Sequence, residues 1–301
     1  MTKRIQLGAA LPLSDIGGDP ATVSAFAQAA EALGYDHLCA TDHVLGVNVA
    51  NRPEWGNRNT SADLFHDPFV LFGFLANATR TIGFSVQVLI LAQRQTALVA
   101  KQAACVDVLS GGRLRLGIGI GWNQDEFTGL NENWSNRGIR SAEQVEVMRQ
   151  LWANDHVSFE GRWHNIPDAG INPRPVSGTI PVWFGGHHEK TVQRAARLAD
   201  GWMMLEHPPG PEAIKSFEKL RGLASDAGRD PSAIGLEVWM SPVGEPDEWR
   251  REVEFWKAAG VTHITCNNGY GRYHHKRIPE TSLSAHITGL ERFIDAVRDD
   301  L

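Results

Sequence analysis

Cysteine is scarce in this chain. The three present, Cys39, Cys105 and Cys266, are far apart and form no CxxC pair. That excludes a disulfide framework and a zinc-ribbon spacing, and it fits a reduced, cytoplasmic setting. Positive charge is also in deficit: 29 Lys and Arg face 35 Asp and Glu, a net charge of −6. Nucleic acid and anionic membranes are bound through a basic footprint, so neither is expected as a partner. A local basic pocket for a phosphate stays compatible with that balance. No apolar run approaches the roughly 18 residues that suggest a membrane span. The N-terminus enters a strand-like run without the charged start and apolar stretch of a signal peptide.

What is present is most informative over Ser110–Trp122, which reads as a helix end, a tight turn and a strand. Glycine stands at 117, 119 and 121, while Leu114, Leu116, Ile118 and Ile120 fill the other parity. Side chains alternate across a strand, so one face is apolar and the other ends as bare backbone. Glycine weakens a strand, and the compensation expected is a large, flat group lying against that backbone. Glycines that merely relieve crowding in a barrel are the alternative. A dinucleotide fingerprint fails on spacing, because the sixth residue from Gly117 is Trp122 and from Gly119 is Gln124.

Strand-like and helix-like runs alternate along the chain. Strands are predicted at 5–10, 37–40, 81–91, 114–120, 180–184, 201–205, 234–240 and 261–266. Helices are predicted at 20–33, 68–78, 96–109, 138–153, 190–199, 211–227, 246–259 and 283–298. Such alternation implies a parallel sheet. The count and the short links point to a (β/α)8 TIM barrel, with residues 1–301 as one domain; a doubly wound sheet is the alternative. Residues 45–67 and 154–180 are too long for simple connections, so both are expected to be functional insertions. The second should contain a small hairpin near Val157–Trp163.

Barrel enzymes place their chemistry at the carboxyl ends of the strands, which yields candidates by position. They are Pro12 and Ser14, Asp42 and His43, Gln87 and Val88, the segment Gly119–Asn123, Gly185–His188, Glu206 and His207, and Asn267–Gly269. Asp42-His43 is the best candidate for proton chemistry, since a carboxylate can fix an imidazole's tautomer and histidine titrates near neutrality. Neighbours on a strand face opposite ways, however, so Asp42 binding backbone and a purely structural His43 stay open. Gly185-Gly186 before a helix start suits an anion; an ordinary turn is the alternative. The pairs His187-His188 and His274-His275 resemble metal ligands, but adjacent residues rarely converge on one ion, so no metal is expected. Trp122, Trp163 and Trp183 could wall an aromatic pocket. The basic run 269–277 is either a phosphate loop or a solvated one.

Several ordered stretches then carry a resemblance. They are Ala40–Val44, Leu89–Thr96, Val99–Ala104, Leu109–Arg113, Gly121–Asn123, Ala169–Pro173 and Pro181–Met203. In these the chain resembles the luciferase-like monooxygenase superfamily, in particular its coenzyme F420-dependent oxidoreductases, over most of its length to about residue 205. The resemblance implies a luciferase-like barrel, often a homodimer, that binds a flavin or deazaflavin at the strand ends. It implies a cis peptide in a bulge at the end of the third strand, nearest Gln87-Val88, supporting the ring. It places Gly119, Ile120, Gly121 and Trp122 beside the ring, Gly185, Gly186 and His187 at the phosphate, Asp42 in the cofactor site, and His43 near the hydride-carrying carbon. One departure stands out: sugar-phosphate dehydrogenases of this superfamily carry a glutamate just after the fourth strand's Gly-x-Gly, where this chain has Trp122-Asn123. That substrate is therefore in doubt, and Glu126 nearby has no evident reason to enter the pocket.

The function expected is an oxidoreductase that moves a hydride between coenzyme F420 and a small, rather apolar organic substrate, with His43 exchanging a proton. Both insertions would cover the pocket. An FMN-dependent monooxygenase and a non-catalytic flavin-binding protein of the same fold are the alternatives.

Overall fold

The computed structural model describes residues 4–56 and 58–301. Met1–Lys3 of the N-terminal run and Asn57 of the first insertion lie outside the described residues. The barrel strands are β1 (Gln6–Ala10), β2 (His37–Ala40), β3 (Gly83–Ile90), β4 (Leu114–Gly119), β5 (Val182–Gly185), β6 (Gly201–Met204), β7 (Gly235–Met240) and β8 (His263–Cys266). Among the described residues they close in chain order into a parallel barrel, with β1 returning to β8 at Gln6–His263. The chain is thus a (β/α)8 barrel, and the doubly wound alternative falls.

Local chemistry places the helices where the sequence predicts them. Asp19 caps the helix Pro20–Leu33 by accepting from Thr22 N, and Asp67 caps Pro68–Ala78 by accepting from Phe69 N and Val70 N. Each cap precedes a proline, whose fixed φ suits the first helical position. Left-handed Gly34 ends the first of these helices, and left-handed Gly111 ends Thr96–Ser110. No described helix is long and apolar enough to cross a membrane. Two short helices escape the sequence pattern, Leu13–Ile16 and Gln124–Gly129, and the second matters for the site.

The two strand parities serve different layers. Leu38, Phe84, Leu116, Ile118, Val182, Phe184, Leu236 and Ile264 belong to the apolar layer that the helices cover. The opposite parity carries His37, Cys39, Ser85, Gln87, Arg115, Trp183, Glu237, Trp239 and Thr265, which meet one another by hydrogen bonds and ring contacts inside the barrel. Such interiors are ordinarily filled by branched apolar residues; here the filling beneath the strand ends is polar and ionic.

Candidate active site

A cavity of about 500 Å³ opens at the carboxyl ends of the strands. The eleven residues that the resemblance assigns to the site line it: Asp42, His43, Gln87, Val88, Gly119, Ile120, Gly121, Trp122, Gly185, Gly186 and His187. Of the other strand-end candidates Pro12, Ser14, Asn267 and Gly269 line it, and Asn123, His188, Glu206, His207 and Asn268 do not. The first insertion contributes Asn59, Asp63, Leu64 and Phe65, and the run after β8 contributes Tyr270, Arg272, Tyr273 and Arg277. The second insertion contributes no described lining residue, contrary to the expectation that it covers the pocket. Its hairpin, Val157–Glu160 with Asn165–Ala169, is held elsewhere by Glu143, which accepts from the backbone N–H groups of Arg162, Trp163 and His164.

His43 sits just beyond β2 with its Nδ1 3.2 Å from Glu126 Oε2. The other oxygen, Oε1, accepts from Val44 N at 2.9 Å and Leu45 N at 3.2 Å. Glu126 is buried, which opposes its ionisation, yet the bonds from His43, Val44 and Leu45 hold its carboxyl below the usual range. An ionised carboxylate on Nδ1 keeps the proton on that nitrogen, and no described residue hydrogen-bonds Nε2. Sequence reasoning missed this partner. A usable signal was Asn123 followed three residues later by Glu126, a helix-start spacing; Asn123 indeed caps the short helix by accepting from Asp125 N at 3.1 Å. Glu126 sits at the position of a capping box but turns away, to the end of β2.

Asp42 points its carboxylate into the scaffold, the alternative left open by strand alternation. Oδ2 accepts from Ile90 N at 3.0 Å, and Oδ1 accepts from Arg94 Nη2 at 2.7 Å. Arg94 also reaches Asp67 at 2.9 Å, tying the ends of β2 and β3 to the start of the helix that follows the insertion. Around His43, Phe65 and Trp122 pack edge-on with ring centroids 4.7 and 5.7 Å away. Trp55 lies 5.7 Å from Trp122 and carries the Arg58 guanidinium 4.3 Å above its ring. Of the three tryptophans named from sequence, Trp122 lines the cavity. Trp183 lies deep in the barrel against Arg115, and Trp163 carries Arg162 on its ring.

The glycines of β4 admit protein side chains rather than a free ring surface. A Cβ on Gly119 would stand 2.6 Å from Val88 Cγ2, and one on Gly185 would stand 2.8 Å from Val88 Cγ1. Gly117 makes room for the Val86 carbonyl oxygen and Met203, and Gly121, just beyond β4, for Ile90 and Phe127. The expected flat group therefore does not account for these glycines directly; Val88 does at two of them, and Val88 itself lines the cavity. The Gln87–Val88 peptide is cis, at the place the resemblance implied.

Gly185, Gly186 and His187 form the turn before the helix Glu189–Leu198, and Gly186 has φ +112°. His187 faces the cavity, where burial lowers its basicity against the pull of Glu206 at 3.7 Å. His188 points away and caps the helix, its Nδ1 accepting from Lys190 N. The ring centroids of His274 and His275 lie 4.0 Å apart with the planes tilted by 41°, and His275 Nε2 donates to Leu205 O. Deeper down, His37, Cys39 and Glu237 offer donor atoms within 4.8 Å of one another. A fixed cation already stands there: Arg115 Nη2 lies 2.9 Å from Glu237 Oε2 and 3.1 Å from His37 Nε2.

A family model described as luciferase-like monooxygenase matches residues 4–294, well past the motifs that end near residue 205. An uncharacterised protein of Mycobacterium tuberculosis is 32% identical over 208 residues, 67% of this chain and 71% of its own length. The F420-dependent hydroxymycolic acid dehydrogenase of that species is 27% identical over 237 residues, 77% of this chain and 62% of its own. Among solved structures, an F420-dependent secondary alcohol dehydrogenase in complex with an F420-acetone adduct matches with TM-score 0.78 at 20% identity, covering 99% of this chain and 100% of its own. A riboflavin lyase with modified FMN and riboflavin reaches TM-score 0.82 at 15% identity, covering 99% and 92%. These structural likenesses speak for the fold.

Proposed function

We propose that this chain, which belongs to the luciferase-like monooxygenase family, is an oxidoreductase that moves a hydride between coenzyme F420 and a small organic alcohol or ketone. The observation that carries this reading is the His43–Glu126 pair on the wall of a ring-sized cavity. A volume of about 500 Å³ lies inside the ~300–1,000 Å³ typical of small-molecule sites. Val88, Gly119, Ile120 and Gly121 would lie under the ring, and the turn at Gly185, Gly186 and His187 would meet the phosphate. When bound, F420 supplies the two-electron hydride carrier.

The protein's own part is proton handling and exclusion of water. Glu126 keeps the proton of His43 on Nδ1, so Nε2 is left to take the hydroxyl proton of an alcohol. In the reverse direction Nε2 returns a proton to a carbonyl oxygen. Phe65 and Trp122 wall the imidazole on two sides, which limits water at that nitrogen. Asp42 supports this arrangement through Arg94 rather than by touching the ligand. The relatives whose names include an alcohol-type dehydrogenase favour the alcohol–ketone class.

An FMN-dependent monooxygenase is the second reading, favoured by the fold's likeness to a structure holding modified FMN. A homodimer is supported by the exposed apolar residues Val70 and Phe74 on one helix and Leu98 and Leu109 on the next. Anaerobic titration of the protein with F420 and with FMN separates the two cofactor readings. F420 binding is expected. FMN binding without F420 binding overturns the proposal, and oxygen uptake with reduced FMN would then establish the second.

A further inference from the structure

The ionic layer inside the barrel takes no part in the proton handling above, yet it ends on the cavity floor. We propose that Glu237 is a positioning residue: anchored by Arg115, it grips the Gln87 side chain and so sets where Val88 stands between β4 and β5. The link to a cofactor ring rests on the proposed function; the position of Val88 does not.

Four observations carry this. First, Gln87 and Val88 have no strand partner. Pairing with β2 ends at Val86, and pairing with β4 jumps from Val86 to Leu89. The ladder leaves these two residues to be placed by their side chains. Second, both ends of the Gln87 amide are engaged. Nε2 donates to Glu237 Oε1 at 2.6 Å, and Oε1 accepts from Trp239 Nε1 at 2.7 Å. Rotating the amide would orphan two buried groups at once.

Third, Glu237 is itself fixed. It is fully buried, and Arg115 holds its carboxyl far below the usual carboxylate range against the effect of that burial. Thr265 Oγ1 donates to its Oε1 at 2.6 Å. Arg115 in turn lies 4.3 Å over the Trp183 ring. A buried charge is costly unless its partners are in place, so this layer has one arrangement rather than several. Fourth, Val88, next in chain to the gripped residue, fills the space that a Cβ on Gly119 or Gly185 would need. Its two methyl groups lie between two strands as part of the cavity lining.

Gln87→Met tests the grip, because it keeps the length of the side chain and leaves the Arg115–Glu237 pair whole. Crystal structures of ligand-free wild type and variant are compared first. Val88 is expected to leave the gap between Gly119 and Gly185. F420 affinity is then expected to fall about tenfold, a part of what orphaning two buried groups costs. Val88 unmoved in the variant, even with a lower melting temperature, overturns the proposal and leaves Glu237 a plain stability element. If Gln87→Met does not fold, Gln87→Leu removes the same amide with a branched side chain of similar volume. Val88 unmoved there overturns it equally. Wild-type protein that binds neither F420 nor FMN would sink the functional proposal, while the ligand-free structures would still decide this one.

Discussion

Replacing Glu126 by glutamine keeps its shape and removes its charge, which isolates what the carboxylate does for His43. The native carboxylate accepts three hydrogen bonds, from His43 Nδ1, Val44 N and Leu45 N. The two backbone donors sit on one oxygen and have no choice of direction. The amide oxygen of the introduced side chain must therefore stay with Val44 and Leu45, which turns its NH₂ toward His43. An NH₂ facing Nδ1 demands a lone pair there, so the proton moves to Nε2 and the imidazole adopts the opposite tautomer. Nε2 can then no longer accept the hydroxyl proton of an alcohol. Positioned acid–base groups contribute roughly 100- to 10,000-fold to rate, and Glu126→Gln should lose about that factor in alcohol oxidation at neutral pH. The fold should tolerate the change. Weakening charge-assisted bonds to neutral ones costs about 1–2 kcal/mol in total, a melting-temperature drop of roughly 2–3 °C for a chain of this size. Cofactor affinity should stay within a factor of about three, since no bond to the ring is altered. Two assays check this. Long-range ¹H–¹⁵N spectra of selectively labelled histidine report the His43 tautomer without any substrate, and single-turnover hydride transfer reports the rate. A wild-type tautomer in Glu126→Gln would refute the argument at its first step. A wild-type rate with the switched tautomer would refute it at its second.

Two further outcomes follow from the same structure. Gly119→Ala places a Cβ 2.6 Å from Val88 Cγ2, an overpacking that should cost about 1–3 kcal/mol in thermal or denaturant unfolding; Gly119→Ala with Val88→Ala should be less destabilised than the sum of the single changes, and additivity would show that the two do not share the space. Glu31 accepts from the backbone N–H groups of Arg80, Thr81 and Ile82, and these bonds outweigh partial burial to lower its carboxyl to about 2. Its folded-state pKa lies below the unfolded value of 4.5, so its stabilisation is complete above that value and is lost as pH falls toward 2; Glu31→Gln should flatten acid unfolding over that window, and an unchanged pH profile would count against it.

The architecture was legible because its signals are local. Asp19-Pro20 and Asp67-Pro68 announce helix starts, Gly34 and Gly111 announce ends, and the predicted helix at 20–33 and strand at 37–40 coincide with the observed ones. The short helix 124–129 was not legible, because six mostly polar residues give periodicity nothing to act on, and with it Glu126 was lost as a partner of His43. Its contact joins residues 83 positions apart, and no spacing rule spans that distance. The interior was hidden for a different reason. Alternation says that Arg115 shares a face with Gly117 and Gly119, but not that this face is the inner one. Only closure of the barrel brings Arg115 to Glu237, from strands more than a hundred residues apart.

The glycines of β4 border the cavity for a different reason from the one their pattern first suggests. Bare backbone at Gly119 demands that something else fill the missing side chain's space, and that demand is physical whether the filler is ligand or protein. Here the filler is Val88, which also explains Gly185 on the next strand, a residue that no motif within β4 could connect to it. Val88 in turn lines the cavity, so a ring bound as proposed would lie one atomic layer outward from the glycines, on a floor made by an isopropyl group. That layer changes what a mutation does. A side chain added at Gly119 would not meet the proposed ring first; it would displace Val88, and through Val88 strain the Gln87–Glu237 bond beneath. Loss of cofactor affinity in such a variant therefore reports the floor, and it becomes evidence for ring contact only when Val88 is shown to have stayed in place.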